Sequence, residues 1–110
     1  MAIEAIAGLA GTKWKQGEGT SALSLVEQVL DYLAYQPLEG VDEPIQIYLT
    51  CYHVLRGLGD DLRAGDVLQQ AHNRLMVNAE KIVDPAIRAT YLENVPSHRA
   101  LMQLWKQSEM

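Results

Sequence analysis

The sequence predicts an all-α protein made of two antiparallel helix-turn-helix units and a C-terminal pair of helices. Three observations support this fold class. Apolar residues recur at three- and four-residue steps along most of the chain, which is the spacing of one helix face. Glycine and proline are concentrated where these patterns break, as expected at junctions between helices. A spacing pattern in the first third of the chain also recurs later, which indicates a repeat architecture.

The first helix-turn-helix unit is predicted over residues 2–36. Apolar residues on one helical face continue as far as Trp14, and the glycine-containing segment 17–19 then interrupts the pattern. A second helix follows, with Thr20 or Ser21 expected as its N-cap. Its predicted apolar stripe consists of Leu23, Val26, Leu30 and Leu33. Because the connection is short, the two helices should lie antiparallel.

The second unit is predicted over residues 42–83. Residues 36–41 contain a proline and a glycine that break the helical pattern, and residues 42–44 place two acidic side chains before a proline, as at a helix start. This third helix should end in a left-handed turn within residues 57–60, and a fourth should begin near Asp61. The predicted buried faces are Ile45, Tyr48, Leu49, Tyr52 and Leu55 on the third helix and Leu68, Ala71, Leu75, Ala79 and Ile82 on the fourth.

Two shorter helices over residues 84–108 are predicted to cap the second unit. Asp84 precedes Pro85 and is expected to be the N-cap of the first of them, while Pro96 should lie in the first turn of the last helix. No polar–apolar alternation is long enough to predict a strand. Residues 1–110 are therefore expected to form a single helical-repeat domain.

The most informative pattern is an internal repeat with an offset of 42 residues, as between Gly17 and Gly59. The matching pairs are Gly17 with Gly59, Ala22 with Ala64, Val26 with Leu68 and Val29 with Ala71. Glycine permits a tight turn, and a small residue early in the second helix lets it approach the first closely. We expect helices one and three to line the inner surface of a short superhelix, with helices two and four at its back.

These positions resemble those of the tetratricopeptide repeat, which has bulky and then small apolar residues on its first helix and small, large and small residues on its second. The sequence from residue 38 onward also resembles the C-terminal end of large multidomain bacterial signalling proteins. Those proteins join such a helical array to ATPase modules, and often to cyclase or transcription-activator domains. The second resemblance rests on segments that include Gly40-Val41-Asp42-Glu43-Pro44, Tyr48-Leu49-Thr50-Cys51-Tyr52, Ile82-Val83-Asp84-Pro85 and Tyr91-Leu92-Glu93-Asn94-Val95-Pro96. It implies a terminal helical-repeat segment of a larger protein whose chemistry lies upstream.

Composition and charge argue against a nucleic-acid partner, a membrane segment and an internal disulfide. The formal net charge of −5 and the lack of clustered lysine and arginine argue against nucleic acid. The apolar stretch over residues 1–10 is too short to span a bilayer and lacks the basic start of a secretion signal, so we expect no membrane or targeting segment. A single cysteine, Cys51, forms no internal disulfide and is typical of a reducing, cytoplasmic setting.

Cys51 and His53 are the residues that most resemble a nucleophile or metal pair. Residues two apart on a helix point to different faces, and no second cysteine or supporting ligand is near in sequence. His72 has no metal-binding pattern around it and should lie on a partly exposed flank of its helix. The spacing of four N-terminal glycines matches no phosphate-binding motif and predicts packing or turn positions; these are Gly8, Gly11, Gly17 and Gly19. No metal or cofactor site is therefore expected.

The acidic residues Glu80, Asp84 and Glu93 are the only carboxylates considered for acid–base chemistry. Surface exposure and the capping role of Asp84 explain them without catalysis. His98 and Arg99, in the first turn of the last helix, could meet a phosphate or a carboxylate. The preferred interpretation is that Arg88 and Arg99 pair with acidic neighbours such as Glu93. No catalytic residue is predicted, and the chain is not expected to be an enzyme.

The predicted function is a non-catalytic protein-interaction or scaffolding module, with a protein or peptide as partner. The alternative is a regulatory sensor that binds a small ligand between its helices, with Tyr48, Tyr52 and His53 as candidate pocket residues. Since an apolar face begins directly at the N-terminus, self-association through helix one is also expected, as a homodimer or with further repeats. The apolar residues assigned to that face are Ile3, Ile6 and Trp14.

Overall fold

The computed structural model describes residues 3–35 and 44–108, and this part of the chain contains six helices and no strand. The all-α class is thus confirmed. The helices are α1 (Ile3–Lys15), α2 (Gly19–Tyr35), α3 (Pro44–Gly57), α4 (Asp61–Glu80), α5 (Pro85–Asn94) and α6 (Pro96–Ser108). The breaker predicted at residues 36–41 and the acidic helix start at residues 42–43 lie outside the described residues, as does the predicted first residue of helix one.

Two short turns fold α1 onto α2 and α3 onto α4, and the turns are nearly identical. Gly17 and Gly59 adopt left-handed backbone angles, with φ of 80° and 84°. Each glycine N–H donates to the carbonyl three residues earlier, at 3.0 and 3.1 Å, and the next N–H donates to the carbonyl five residues earlier, at 2.9 Å in both turns. This pattern satisfies the free carbonyls at a helix end. The left-handed exit predicted within residues 57–60 is confirmed.

The predicted N-cap of α2 at Thr20 or Ser21 is wrong. The helix already begins at Gly19, and its first hydrogen bond runs from the Ala22 N–H to the Glu18 carbonyl at 3.0 Å. The left-handed turn leads directly into α2, so that Glu18 takes the capping position. The corresponding residue of the second unit, Asp60, caps α4 and accepts the Arg63 N–H at 3.2 Å.

The core of the protein surrounds α3, against which α1, α2, α4 and α6 all pack. Seven residues of α3 are buried, and they lie on nearly every side of the helix: Ile45, Ile47, Tyr48, Leu49, Cys51, Val54 and Leu55. The predicted face is therefore confirmed except at Tyr52, which is half-buried. Corresponding positions of the two hairpins are buried alike: Ile3 and Ile45, Ala7 and Leu49, Ala22 and Ala64, Val26 and Leu68, Val29 and Ala71, and Leu33 and Leu75.

The C-terminal helices cover the second hairpin unequally. The α6 helix packs on α3 and α4 and buries Leu101, whereas α5 has no buried residue. Asp84 caps α5 as predicted and accepts the N–H groups of Ala86 at 2.8 Å and Ile87 at 3.5 Å. These contacts leave α5 as a thin outer layer that rests on α4 and α6.

Arg88 does not form the predicted ion pair with an acidic neighbour. Its guanidinium donates instead to the carbonyls of Ala79 at 3.2 Å and Ile82 at 3.1 and 2.6 Å. The last carbonyls of a helix have no partner within it, so a nearby arginine that satisfies them is used structurally. Arg88 thus ties α5 to the end of α4.

We predict that Gly17→Ala and Gly59→Ala each lower the free energy of unfolding by about 1–2 kcal/mol, because a side chain is disfavoured in the left-handed conformation. The two losses should be similar, since the two turns share one geometry. The matched control is Gly65→Ala, an exposed site within α4 where an added Cβ meets no atom within 4 Å. This change should stabilise by about 0.5–1 kcal/mol through helix propensity. Urea denaturation followed by circular dichroism measures all three, and a neutral Gly17→Ala would contradict the assigned turn.

Candidate binding groove

An open groove runs between α1 and α3, which lie side by side in the same direction. It consists of two adjoining cavities of about 170 and 330 Å³ that share Gly8, Gln46 and Thr50. The smaller cavity is completed by Glu4, Ala7 and Ile47, and the larger by Gly11, Thr12, Trp14, Lys15, His53 and Val54. We refer to these residues together as the α1–α3 groove.

Glycines set the width of the α1–α3 groove. A Cβ added at Gly57 would overlap the Trp14 indole, so the ring lies directly on the α3 backbone and closes the groove near the ends of both helices. An added Cβ at Gly11 would be 3.5 Å from the Thr50 methyl group, an ordinary contact. At Gly8, by contrast, nothing lies within 4 Å. The Trp14 ring is therefore in close contact with α3, whereas the groove is open at Gly8.

The floor of the α1–α3 groove is uncharged and mainly apolar, with a few hydrogen-bonding groups. The Thr12 hydroxyl donates to the Gly8 carbonyl and the Thr50 hydroxyl to the Gln46 carbonyl, both at 3.0 Å. Each hydroxyl oxygen retains a lone pair that can accept a hydrogen bond from a ligand. The exposed amide of Gln46 can both donate and accept. Such groups suit hydrogen bonding to a peptide backbone.

Opposite charges stand at the two ends of the α1–α3 groove. Glu4 lies near the start of α1 and Lys15 at its end, about 16 Å apart along the helix axis. Lys15 shares its cavity with His53. The groove therefore has an acidic end, a neutral middle and a basic end.

The residues proposed for a sensor pocket do not line one cavity. His53 lies in the α1–α3 groove, whereas Tyr48 is buried on another side of α3, with its phenol beside Arg74. Burial raises the pKa of the Tyr48 phenol, and the neighbouring guanidinium partly opposes this. Tyr52 is half-buried and meets the His53 ring edge-on, with 5.4 Å between ring centroids.

Sequence reasoning missed Gln46 and Thr50 as groove residues. With His53 they form a polar stripe at four- and three-residue steps on a helix with seven buried residues. This polar stripe is the sequence pattern that could have identified the groove residues, because polar side chains on a largely buried helix are expected to lie where the helix is accessible to solvent.

Cys51 and His53 point to different surroundings, as expected. Cys51 is fully buried, and burial raises the pKa of its thiol to about 12. His53 is exposed. Within residues 3–35 and 44–108, no three histidine, cysteine or acidic side chains are grouped so that they could hold a metal ion.

The remaining histidines are held in packing contacts. His72 is half-buried between α4 and α6, where its ring stacks on Trp105 at 3.9 Å between centroids. His98 is buried, and its Nδ1 lies 2.8 Å from the Tyr91 carbonyl. Because a carbonyl only accepts, this nitrogen carries the proton. His98 is thereby engaged within the chain, whereas the adjacent Arg99 is exposed.

The acidic residues considered for catalysis occupy ordinary surface positions. Glu80 is exposed at the end of α4, and Glu93 is exposed on α5. Asp84 is engaged as the N-cap of α5. The predicted pairing of Arg99 with Glu93 is wrong, because no ion pair forms between them although both border the same cleft between α5 and α6.

The fold and the groove define an all-α protein of packed helical hairpins with an open surface channel. The chain matches no protein-family model, and the comparisons with curated proteins and with solved structures find no significant similarity. None of the described helices has the length and apolar character needed to cross a membrane.

We predict that Gly57→Ala lowers the free energy of unfolding by about 1–3 kcal/mol, because the new methyl group overlaps the Trp14 ring. In a Trp14→Leu background the same change should cost less, since the overlapping ring is absent. A double-mutant cycle in urea measures the difference. Equal costs in both backgrounds would show that the indole does not lie on Gly57.

We also predict that the Cys51 thiol reacts with dithionitrobenzoate only when the protein opens. Its burial and its pKa of about 12 leave almost no accessible thiolate at neutral pH. The absorbance of the released dye measures labelling directly, because the chain has one cysteine. The rate should rise to that of a free thiol in denaturant, and rapid labelling of the native protein would contradict the assignment.

Proposed function

We propose that the protein is a non-catalytic interaction or scaffolding module whose α1–α3 groove binds an extended peptide segment of a partner protein. The observation that carries this proposal is the groove itself, a mainly apolar, uncharged floor with a few hydrogen-bonding groups between an acidic and a basic end. Its length of about 16 Å accommodates roughly five extended residues. Its two cavities are open and adjoin along the groove, and they do not form one enclosed pocket of the kind that buries most of a small ligand. A peptide therefore fits better than a compact small ligand.

The paired hairpins support a tetratricopeptide-like arrangement of two repeats. The turns at Gly17 and Gly59 have matching hydrogen bonds, and corresponding core positions are buried alike. In such an arrangement α1 and α3 line one surface, where the groove lies. We further propose that the module belongs to a larger regulatory protein and works in the reducing cytoplasm, consistent with a single buried thiol.

The test is selection of short random peptides from a display library on the immobilised protein. We expect enriched peptides to shift the amide resonances of Gly8, Gln46 and Thr50 in the isotope-labelled protein. Gly8→Leu places a side chain in the open part of the groove and should weaken binding about tenfold or more, which corresponds to roughly 1.4 kcal/mol.

The matched control is Gly65→Leu, which adds the same side chain at an exposed glycine outside the groove. It should bind the selected peptides as the wild type does. Peptides that bind both variants equally, or that shift no groove resonance, would refute a peptide site between α1 and α3.

We propose in addition that the protein self-associates through α1, by way of Leu9. Ile3 is buried and Ile6 and Trp14 are half-buried within the chain, so they do not form the exposed face assigned to them. Leu9 is 38% exposed, whereas its counterpart 42 residues later, Cys51, is fully buried. The same position is thus covered in the second hairpin and open in the first.

Light scattering across a concentration series tests this association. A dimer mass in the wild type that falls to the monomer mass with Leu9→Glu is the expected result, because a carboxylate is costly to bury in an apolar contact. Val83→Glu, at an exposed apolar residue outside α1, is the control and should leave the dimer intact. A wild type that stays monomeric at all concentrations would contradict the proposal.

A further inference from the structure

A second cleft, distinct from the α1–α3 groove, lies between α5 and α6. Its volume is about 240 Å³, and it is lined by Leu92 and Glu93 from α5 and by Arg99, Met102, Gln103 and Lys106 from α6. Leu92 and Met102 are half-buried and supply an apolar floor. We refer to these six residues as the α5–α6 cleft.

The α6 side of this cleft has helical periodicity. Arg99, Met102, Gln103 and Lys106 are spaced at i, i+3, i+4 and i+7, which places them along one face of the helix. The two cationic residues are about 10 Å apart along the axis, with the methionine between them. The face thus presents a positive group, an apolar group and a second positive group in line.

The two cations have no acidic partner within the part of the chain that the structure describes. Ion pairs form at Lys13, Arg56 and Arg63, but none forms at Arg99 or Lys106. Among the residues that the structure describes, Glu93 is the one carboxylate that lines the cleft, and it partly offsets their charge. Two free cations are therefore concentrated beside an apolar floor in a protein whose formal net charge is −5.

We propose that the α5–α6 cleft binds an acidic amphipathic helix of a partner protein. Two carboxylates seven residues apart on that helix pair with Arg99 and Lys106, and the apolar residues between them pack on Met102 and Leu92. Helices in contact match rows of side chains at three- and four-residue steps, so the spacing on α6 is complementary to the same spacing on the partner. This ligand differs in chemistry from the extended peptide of the α1–α3 groove.

Other occupants fit less well. Anionic membranes and nucleic acids select for larger clusters of basic residues, about four or more, whereas two cations and an opposing Glu93 form this cleft. A second copy of this chain lacks the ligand, since no two of its acidic residues are seven positions apart. A different protein with an acidic helix is the occupant that the charges favour.

Fluorescence anisotropy with a designed peptide tests the proposal. The probe is a fluorescein-labelled, alanine-rich helix of about 18 residues, long enough to be partly helical in water, with Glu-x-x-Leu-Leu-x-x-Glu on one face. Two matched peptides carry lysine in place of both glutamates or alanine in place of both leucines. We expect the first peptide to bind and both others to bind at least fivefold more weakly.

Replacing a charged residue of the cleft by glutamine, which has a similar shape, should change the affinity for the acidic peptide in a direction that depends on the charge removed. Arg99→Gln and Lys106→Gln each remove an attraction and should weaken binding about two- to fivefold, whereas Glu93→Gln removes a repulsion and should strengthen it by a similar factor. Met102→Gln should weaken binding without altering its salt dependence. The control Lys81→Gln, at an exposed lysine that ends α4, should leave the affinity unchanged.

Circular dichroism of each variant establishes that it remains folded, so the opposite sign at Glu93 cannot arise from unfolding. The proposal would be overturned by absence of binding by the acidic peptide, by equal binding of the peptide without leucines, or by equal effects of Lys81→Gln and Arg99→Gln. A dimer of the free protein that Arg99→Gln dissociates would instead assign the cleft to a second copy, and would also overturn it.

Discussion

The burial of α3 is the constraint on which the rest of the structure depends. A helix with apolar residues on nearly every side cannot stand at the surface, because each exposed side chain forfeits its favourable transfer from water. Four other helices are needed to cover it. The first hairpin, α4 and α6 all contact α3, and the α1–α3 groove lies where this covering is incomplete.

The α1–α3 groove depends on glycines in its two walls. Trp14 on Gly57 brings the helices together near their C-terminal ends, and the absence of a side chain at Gly8 leaves the other part open. A leucine at Gly57 would overlap the Trp14 ring, whereas a leucine at Gly8 would fill the open part of the groove. The groove is thus a product of where glycine stands in two neighbouring helices.

The two candidate surfaces differ in their charge and in the helices that form them. The α1–α3 groove is built on the most deeply packed helix and has a neutral floor, while the α5–α6 cleft is formed by the outer helices and is cationic. A difference in charge between two binding sites favours a different ligand at each, which a scaffold that holds two different segments requires. The two proposals rest on separate residues and stand independently.

The sequence by itself determined the helices, most of their ends and much of the core. Apolar spacing, the glycines at 17 and 59 and the cap at Asp84 act through contacts within a few residues, so local rules suffice for them. The offset of 42 residues also carried over into matching turns and matching burial. The N-cap of α2 was missed because the helix begins directly after the turn, at Gly19, so that Thr20 and Ser21 lie within its first turn.

Only the tertiary structure decided which surfaces remain open and which charges remain unpaired. Arg88 and Arg99 look alike in sequence, yet one donates to carbonyls at and just beyond the end of α4, and the other faces a cleft. Leu9 and Cys51 occupy corresponding positions, yet only the second is covered. Such differences depend on the helix that packs against each residue from a distant part of the chain, and periodicity within one helix carries no information about that neighbour.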